Sequence, residues 1–239
     1  MNRFFLSLLP FFYFGIGLLL LPAQEVQRHG LVFENWICDN FFDGHRPDYT
    51  EKWDVSAEVN KNHGGIPVNP KAIKYGTAVD MGDALRQFDI DEPFLLIVGF
   101  WDQDGDYKNF VNIIAPRINP EDWTKLWHPI TREDLEKLDA VIKDRDLDYR
   151  EARKQAHTIK NAPPFTEAIM VVNPKIDSRG QRRLQCSIRF RDLFTYLAPE
   201  KDPAPEENTS LWGVPFPNPL FSPPRSFQSG SGENKEEES

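Results

Sequence analysis

The chain carries little cysteine, two residues (Cys38 and Cys186) in 239. That excludes a disulfide framework, and the pair lacks metal-site spacing. Buried free thiols are expected, and one bridge between them stays open if the protein leaves the cytosol. Histidine is also scarce: His29, His45, His63, His128 and His157 stand at no metal-ligand spacing. No serine sits in a Gly-x-Ser-x-Gly elbow, which removes that route to a nucleophile. A basic excess is missing too. The formal charge of −9 excludes a protein that coats nucleic acid without specificity. A local basic groove is still compatible with it, because more than half of the negative excess lies after Leu197. No internal repeat is visible.

What is present suffices for a core. A hydrophobic share of 40% and an aromatic share of 13% give one domain with extensions, or at most two small ones. Residues 4–23 are apolar except for Ser7, with Arg3 before them and Gln24 and Glu25 after. Such a segment describes a secretory signal peptide. It is also about the length of a membrane anchor, and a misassigned start near His29 is the third reading. Pro10 and Pro22 interrupt a regular helix and favour the signal. The protein is expected to be exported (periplasmic or secreted) or membrane-anchored if this start is genuine, and cytoplasmic otherwise. After Ala198, Pro, Glu, Ser and Gly dominate, so a disordered tail or a wrapping arm is expected, with Trp212, Phe216 and Phe221 available to dock. The chain thus divides into residues 1–26, a domain over 27–197 and a tail over 198–239.

Within the domain, apolar residues from Leu31 to Phe42 recur at helical spacing and place Glu34 one turn before Cys38. Gly44, Pro47 and Asp48 should end that helix. Residues 52–58 and 66–73 read as two short strands around a His63-Gly64-Gly65 turn, the second an edge or bulged strand because of Pro67 and Pro70. Residues 81–88 read as a short helix carrying Asp83, Arg86 and Gln87. The run over 93–101 is apolar on both faces and should be a central strand. Residues 102–106 form a turn, since their calcium-loop pattern lacks the closing glutamate, and 107–118 pair back as a hairpin partner. Helices are expected over 120–127, 131–142 (a capping-box start at Thr131 and Asp134; a buried face of Leu135, Leu138, Ala140, Val141 and Ile142) and 149–160. Strands over 169–172 and 184–190 should be neighbours.

The stretch 53–74 gathers the chemistry. Phosphodiester hydrolysis needs a metal held by carboxylates, an activated water and a cation for the charge that develops on phosphorus. Asp54 is a candidate bridging ligand, and Asn69 a weaker one through its amide oxygen. Lys71 shares a strand face with Asn69, because side chains alternate with period two. Glu58, or Glu34 from the first helix, can complete the shell. Taken singly, each of these residues has an ordinary reading as a solvated or hydrogen-bonded side chain.

The order of a helix with Glu34, Asp54, then Asn69-x-Lys71 and an apolar central strand resembles the PD-(D/E)xK nuclease superfamily, which includes many restriction endonucleases. The stretches 29–34, 83–88, 94–101 and 173–186 are similar to a bacterial group of restriction-endonuclease-like proteins. The resemblance covers residues 29–197. It implies an α/β fold, a restriction-endonuclease-like core with a central mixed sheet flanked by helices. It also implies a magnesium-dependent (or manganese-dependent) endodeoxyribonuclease of restriction type, acting on double-stranded DNA and usually as a homodimer. By that resemblance Asp54 and Asn69 would bind the metal and Lys71 would serve the attacking water, with Glu34 or Glu58 left to complete the shell. Asn69 stands where an acidic residue is usual and Trp53 where proline is usual.

Lys175, Arg179, Arg182, Arg183, Arg189 and Arg191 lie close together in sequence, opposed only by Asp177. Gln181 and Gln185 add amides able to read adenine edges, whereas the arginines read guanine or position phosphates. Lys175, Arg179, Gln181, Arg182 and Arg183 are the expected DNA contacts. A solvated strand edge with guarding charges is the plain alternative. Two functional readings follow: the endonuclease, and a non-catalytic exported domain of the same fold used for binding. The apolar leader favours the second, and retention of Asp54 and Lys71 favours the first.

Overall fold

The computed structural model describes residues 28–46 and 52–224. The apolar leader, the expected helix stop at Pro47 and Asp48, and the end of the tail lie outside those residues. In chain order the elements are α1 (Arg28–Phe41), β1 (Val68–Lys74), β2 (Val79–Asp83), α2 (Ala84–Phe88), β3 (Phe94–Asp104), β4 (Tyr107–Ile114) and β5 (Arg117–Ile118). There follow α3 (Pro120–Trp127), α4 (Arg132–Lys143), α5 (Tyr149–Lys160), β6 (Val171–Ile176), β7 (Arg182–Ile188) and α6 (Phe190–Tyr196). Three two-residue strands close the described chain: β8 (Ser210–Leu211), β9 (Val214–Pro215) and β10 (Leu220–Phe221).

Strand β3 is the hub, as its apolar run predicts. It pairs parallel with β1 on one side and antiparallel with β4 on the other, while β5 returns to pair with its first two residues. The sheet is therefore mixed, with helices on both faces. Alternation along β3 feeds two cores: Phe94, Leu96, Val98 and Phe100 enter the larger, Leu95 and Ile97 the smaller. The larger core is filled by α2 to α6 and by a second, antiparallel sheet of order β2-β7-β6. The smaller holds Phe33, Trp36 and Ile37 of α1 together with Leu211 and Phe216 of the tail. Asp43 and Gly44, both at positive φ (52° and 71°), stop α1, and Gly44 N–H caps the Cys38 carbonyl at 3.0 Å. Cys38 and Cys186 are buried free thiols.

Several expectations change. Residues 52–58 form turns with a single bridge rather than a strand, because the Ser56 carbonyl accepts from both Val59 and Asn60 and folds the chain back at once. Residues 81–83 belong to β2, with Val79 and Met81 inward and Asp80 outward; Asp83 caps α2 by accepting from Arg86 N–H at 2.9 Å. Strand β3 runs on to Asp104, leaving a two-residue hairpin loop whose first residue, Gly105, takes φ 53°. The capping box of Thr131 and Asp134 is present, but α4 buries Asp139 and exposes Ala140, since Asp139 pairs with Lys143 at 2.6 Å. Strand β7 stops at Ile188, and Phe190 begins α6 instead.

The tail is an arm over residues 198–224. It lies against β4 through side-chain bonds to backbone: Thr209 Oγ1 and Asn218 Nδ2 both donate to the Phe110 carbonyl, at 2.7 and 2.8 Å. Phe216 is buried, whereas Trp212 and Phe221 dock while half exposed. Trp212 stacks on His63, ring centroids 3.7 Å apart and planes 11° apart.

Candidate functional site

Asn60 builds the loop that carries the site. Its buried amide donates to the Ile66 carbonyl at 2.7 Å and accepts from His63 N–H at 3.0 Å, so the chain turns and returns. Val55 and Val68 then exchange both backbone hydrogen bonds, at 3.3 and 2.9 Å, as an antiparallel pair. In that register the residue before Val55 faces the residue after Val68, so Asp54 stands opposite Asn69 on one face. Trp53 anchors the other side: its ring packs on Phe94 (5.2 Å between centroids), and its Nε1–H donates to Glu92 at 3.0 Å.

Strand β1 is an outer strand of the first sheet, as Pro67 and Pro70 predict. Its face carries Asn69, Lys71 and Ile73, and Glu34 approaches from α1. Burial, then the charge of Asp54, raises the Glu34 carboxyl above its ordinary value, against Lys71 and Arg46. Burial raises Asp54 as well, against Lys71 and Arg86. Lys71 thus acts on both carboxyls, with Arg46 acting on Glu34 and Arg86 on Asp54. Asn69 is buried and its Oδ1 has no hydrogen-bond partner. A buried polar atom left unpaired is costly, and a water or an ion beside it would satisfy it.

Carboxylate and amide oxygens are donor types that a hard divalent cation takes. Among the described residues no set of three His, Cys, Asp or Glu side chains gathers for a metal; the set is two carboxylates and one amide oxygen. Magnesium commonly takes one or two carboxylates, keeping waters and substrate phosphate oxygens in its remaining positions. An ion there would relieve the two raised carboxyls and satisfy the unpaired amide.

Glu58 is not brought in. It is exposed, held below its ordinary value chiefly by the Ser56 hydroxyl, and the charge it feels is that of Glu92. The basic loop also divides. Lys175 and Arg183 pair across β6 and β7 and are exposed, and Arg179 and Gln181 lie exposed in the turn between them. Arg182, expected on DNA, is buried, with its guanidinium donating to the Asp144 and Leu147 carbonyls. It fastens the hairpin to the α4–α5 connection.

The structure adds residues that the sequence did not single out for this site. A cleft of about 420 Å³ opens at the β1 edge. Glu34 and Lys71 line one side, and Asp80, Gly82 and Gln185 of the second sheet line the other. Arg86 sits at the end of α2, with a guanidinium nitrogen on the Lys52 carbonyl. Arg46 pairs with Asp39 at 2.7 Å beside Glu34. The alternation of Val79 and Met81 around Asp80 was the available signal for the far wall. No protein-family model, curated protein or solved structure matches the chain.

Proposed function

We propose that the protein is a divalent-cation-dependent endonuclease of restriction type, with a restriction-endonuclease-like core, that hydrolyses phosphodiester bonds in double-stranded DNA. One observation carries the reading: two carboxylates raised by burial, a lysine and an unpaired buried amide oxygen lie at one strand edge beside an open cleft. Asp54, Glu34 and the Asn69 Oδ1 would hold magnesium or manganese. When bound, such an ion supplies Lewis-acid stabilisation of phosphoryl oxygens and lowers the pKa of water. Lys71 donates a hydrogen bond to the attacking water and neutralises charge on the phosphorus oxygens. Glu58 has no part in this scheme. The exposed Lys175, Arg179 and Arg183 supply phosphate contacts that hold the duplex. The apolar leader would place the protein outside the cytoplasm or at a membrane, and a homodimer would cut both strands.

Plasmid nicking with magnesium or manganese tests this, comparing the full chain with Asp54→Asn and Lys71→Met. Lys71→Met should lose about 10²- to 10³-fold in rate, the scale of one lost donor at a developing charge. Wild-type inactivity with both metals across several plasmids would sink the enzyme and leave the exported binding domain as the better reading.

A further inference from the structure

The row of residues across the second sheet, at the far wall of the cleft, contains one amide without an assignment. Asp83, Gln185 and Asn173 are aligned across β2, β7 and β6. Asp83 is used in capping α2. The Asn173 amide donates to Ser187 Oγ at 2.9 Å and to the Val171 carbonyl at 3.2 Å. Asp80, one of the other wall residues, accepts from Gly82 N–H at 2.9 Å. Gln185 is half-buried, lines the cleft opposite Lys71 and Glu34, and has no side-chain hydrogen bond among the described residues. An amide holds two donors and an acceptor, and one that lines a cleft with no protein partner presents them to whatever enters.

The backbone beside it is bared in a way that suits such an entrant. The ladder between β2 and β7 shifts register between Asp80 and Gly82, a bulge, and Gly82 takes φ 88°. A Cβ at Gly82 would meet nothing within 4 Å, so open space adjoins the backbone there. A glycine at this bulge leaves bare backbone bordering the cleft, with room for a ligand to come close.

We infer that Gln185 reads the edge of the base next to the scissile phosphate and that the base it selects is adenine. The inference rests on the phosphodiesterase reading, which puts the phosphate at Lys71 and Glu34 across the same cleft. A primary amide presents a donor and an acceptor side by side, which matches the N6 amino group and N7 of adenine. Guanine offers two acceptors on that edge and leaves the amide oxygen facing another acceptor. Gln181, the other candidate reader, is exposed in the hairpin turn and is absent from the cleft lining. Gln185 is thus a specificity-determining residue and Lys71 a catalytic one, and their substitutions separate.

The test is cleavage of a linear DNA pool with randomised positions by the full chain in magnesium, with sequencing of the cut ends. Wild type should enrich adenine at one fixed position beside the cut, by roughly 5- to 150-fold over the other bases, the range of one good amide–adenine pair. Gln185→Leu and Gln185→Ala should flatten that position alone while cutting continues. The conservative Gln185→Asn should retain part of the preference. Binding of short adenine-containing and adenine-free duplexes, followed by fluorescence anisotropy, should lose its difference in Gln185→Leu. Cutting with an unchanged adenine preference in both Gln185→Leu and Gln185→Ala overturns this inference and leaves the catalytic reading standing. Absence of cutting by wild type overturns both.

Discussion

The ring of Phe33 occupies the space that a side chain at residue 99 would need. A Cβ built on Gly99 would stand 2.5 Å from Cε2 and Cζ of Phe33 and 2.7 Å from Cε1 of Phe110. Phe33 in turn stacks on Phe110, centroids 4.9 Å apart and planes 10° apart. Because Glu34 follows Phe33 on the same helix, the bare backbone of β3 sets how closely α1 brings a site carboxylate to β1.

Gly99→Ala should therefore push α1 outward. Overpacking of this kind destabilises by about 1–3 kcal/mol, readable as a lowered urea midpoint with an unchanged m-value. Phe33→Leu in the same background should recover part of the loss by freeing the ring's volume. A Gly99→Ala protein as stable as wild type would show that α1 does not rest on this contact.

Folding raises both Glu34 and Asp54, chiefly by burial. Each therefore binds its proton more tightly in the folded chain. Its stabilising contribution is complete below the unfolded value of about 4 and is lost as pH rises through the raised folded value. Glu34→Gln and Asp54→Asn should melt above wild type at pH 7, with the gap closing as the pH falls toward that of the unfolded carboxyl. Calorimetry at both pH values gives the answer, and an equal gap at both would contradict the burial argument. Magnesium should act on the same groups, stabilising wild type by about 2.7 kcal/mol at a hundredfold excess over its Kd and leaving Asp54→Asn nearly unmoved.

Arginine substitutions on the β6–β7 hairpin should part into two kinds. Arg182→Ala removes donors to two carbonyls and should lower stability by about 1–3 kcal/mol. Lys175→Ala with Arg183→Ala should leave unfolding unchanged and weaken duplex binding, reducing the slope of log K against log salt by roughly 2. Titrations at three salt concentrations distinguish the cases. A double variant with wild-type slope would remove the hairpin from the DNA-contacting surface.

Trp212 sits at φ 49°, a conformation that bulky residues avoid, and is kept there by the stack on His63. Trp212→Ala loses the stack and keeps the unfavourable backbone, whereas Trp212→Gly loses the stack alone. The glycine variant should be the more stable by about 1 kcal/mol. Both should speed proteolysis within residues 198–224, seen as early cleavage products by mass spectrometry.

Much of the framework was legible. Strand β3 declared itself by being apolar on both faces. The Thr131–Asp134 pair marked a helix start through backbone chemistry that acts within a few residues. Asp54, Lys71, Asn69 and Glu34 were gathered by reading two extended segments around a glycine turn, and the register of one bridge does bring Asp54 and Asn69 face to face. What stayed hidden depends on tertiary partners. The turn at Ser56 and Asn60 wins over a strand because the Asn60 amide finds buried carbonyls, which no local pattern announces. Arg182 and Arg183 differ only in which face of β7 they take, so composition assigned both to DNA. Gln185 faces the cleft because β2 and β7 pair, a contact spanning most of the domain.

The arm has a consequence for the sheet's margins. A sheet exposes unpaired backbone groups along both outer strands, a template for adding another chain. Here β1 carries Pro70, which offers no N–H, and β10 pairs with the start of β4 on the opposite margin. The same arm lays Leu211 and Phe216 over the smaller core. Cutting the chain at residue 197, where its composition changes, would keep all the candidate site residues. It would also leave one margin and an apolar face open to self-association.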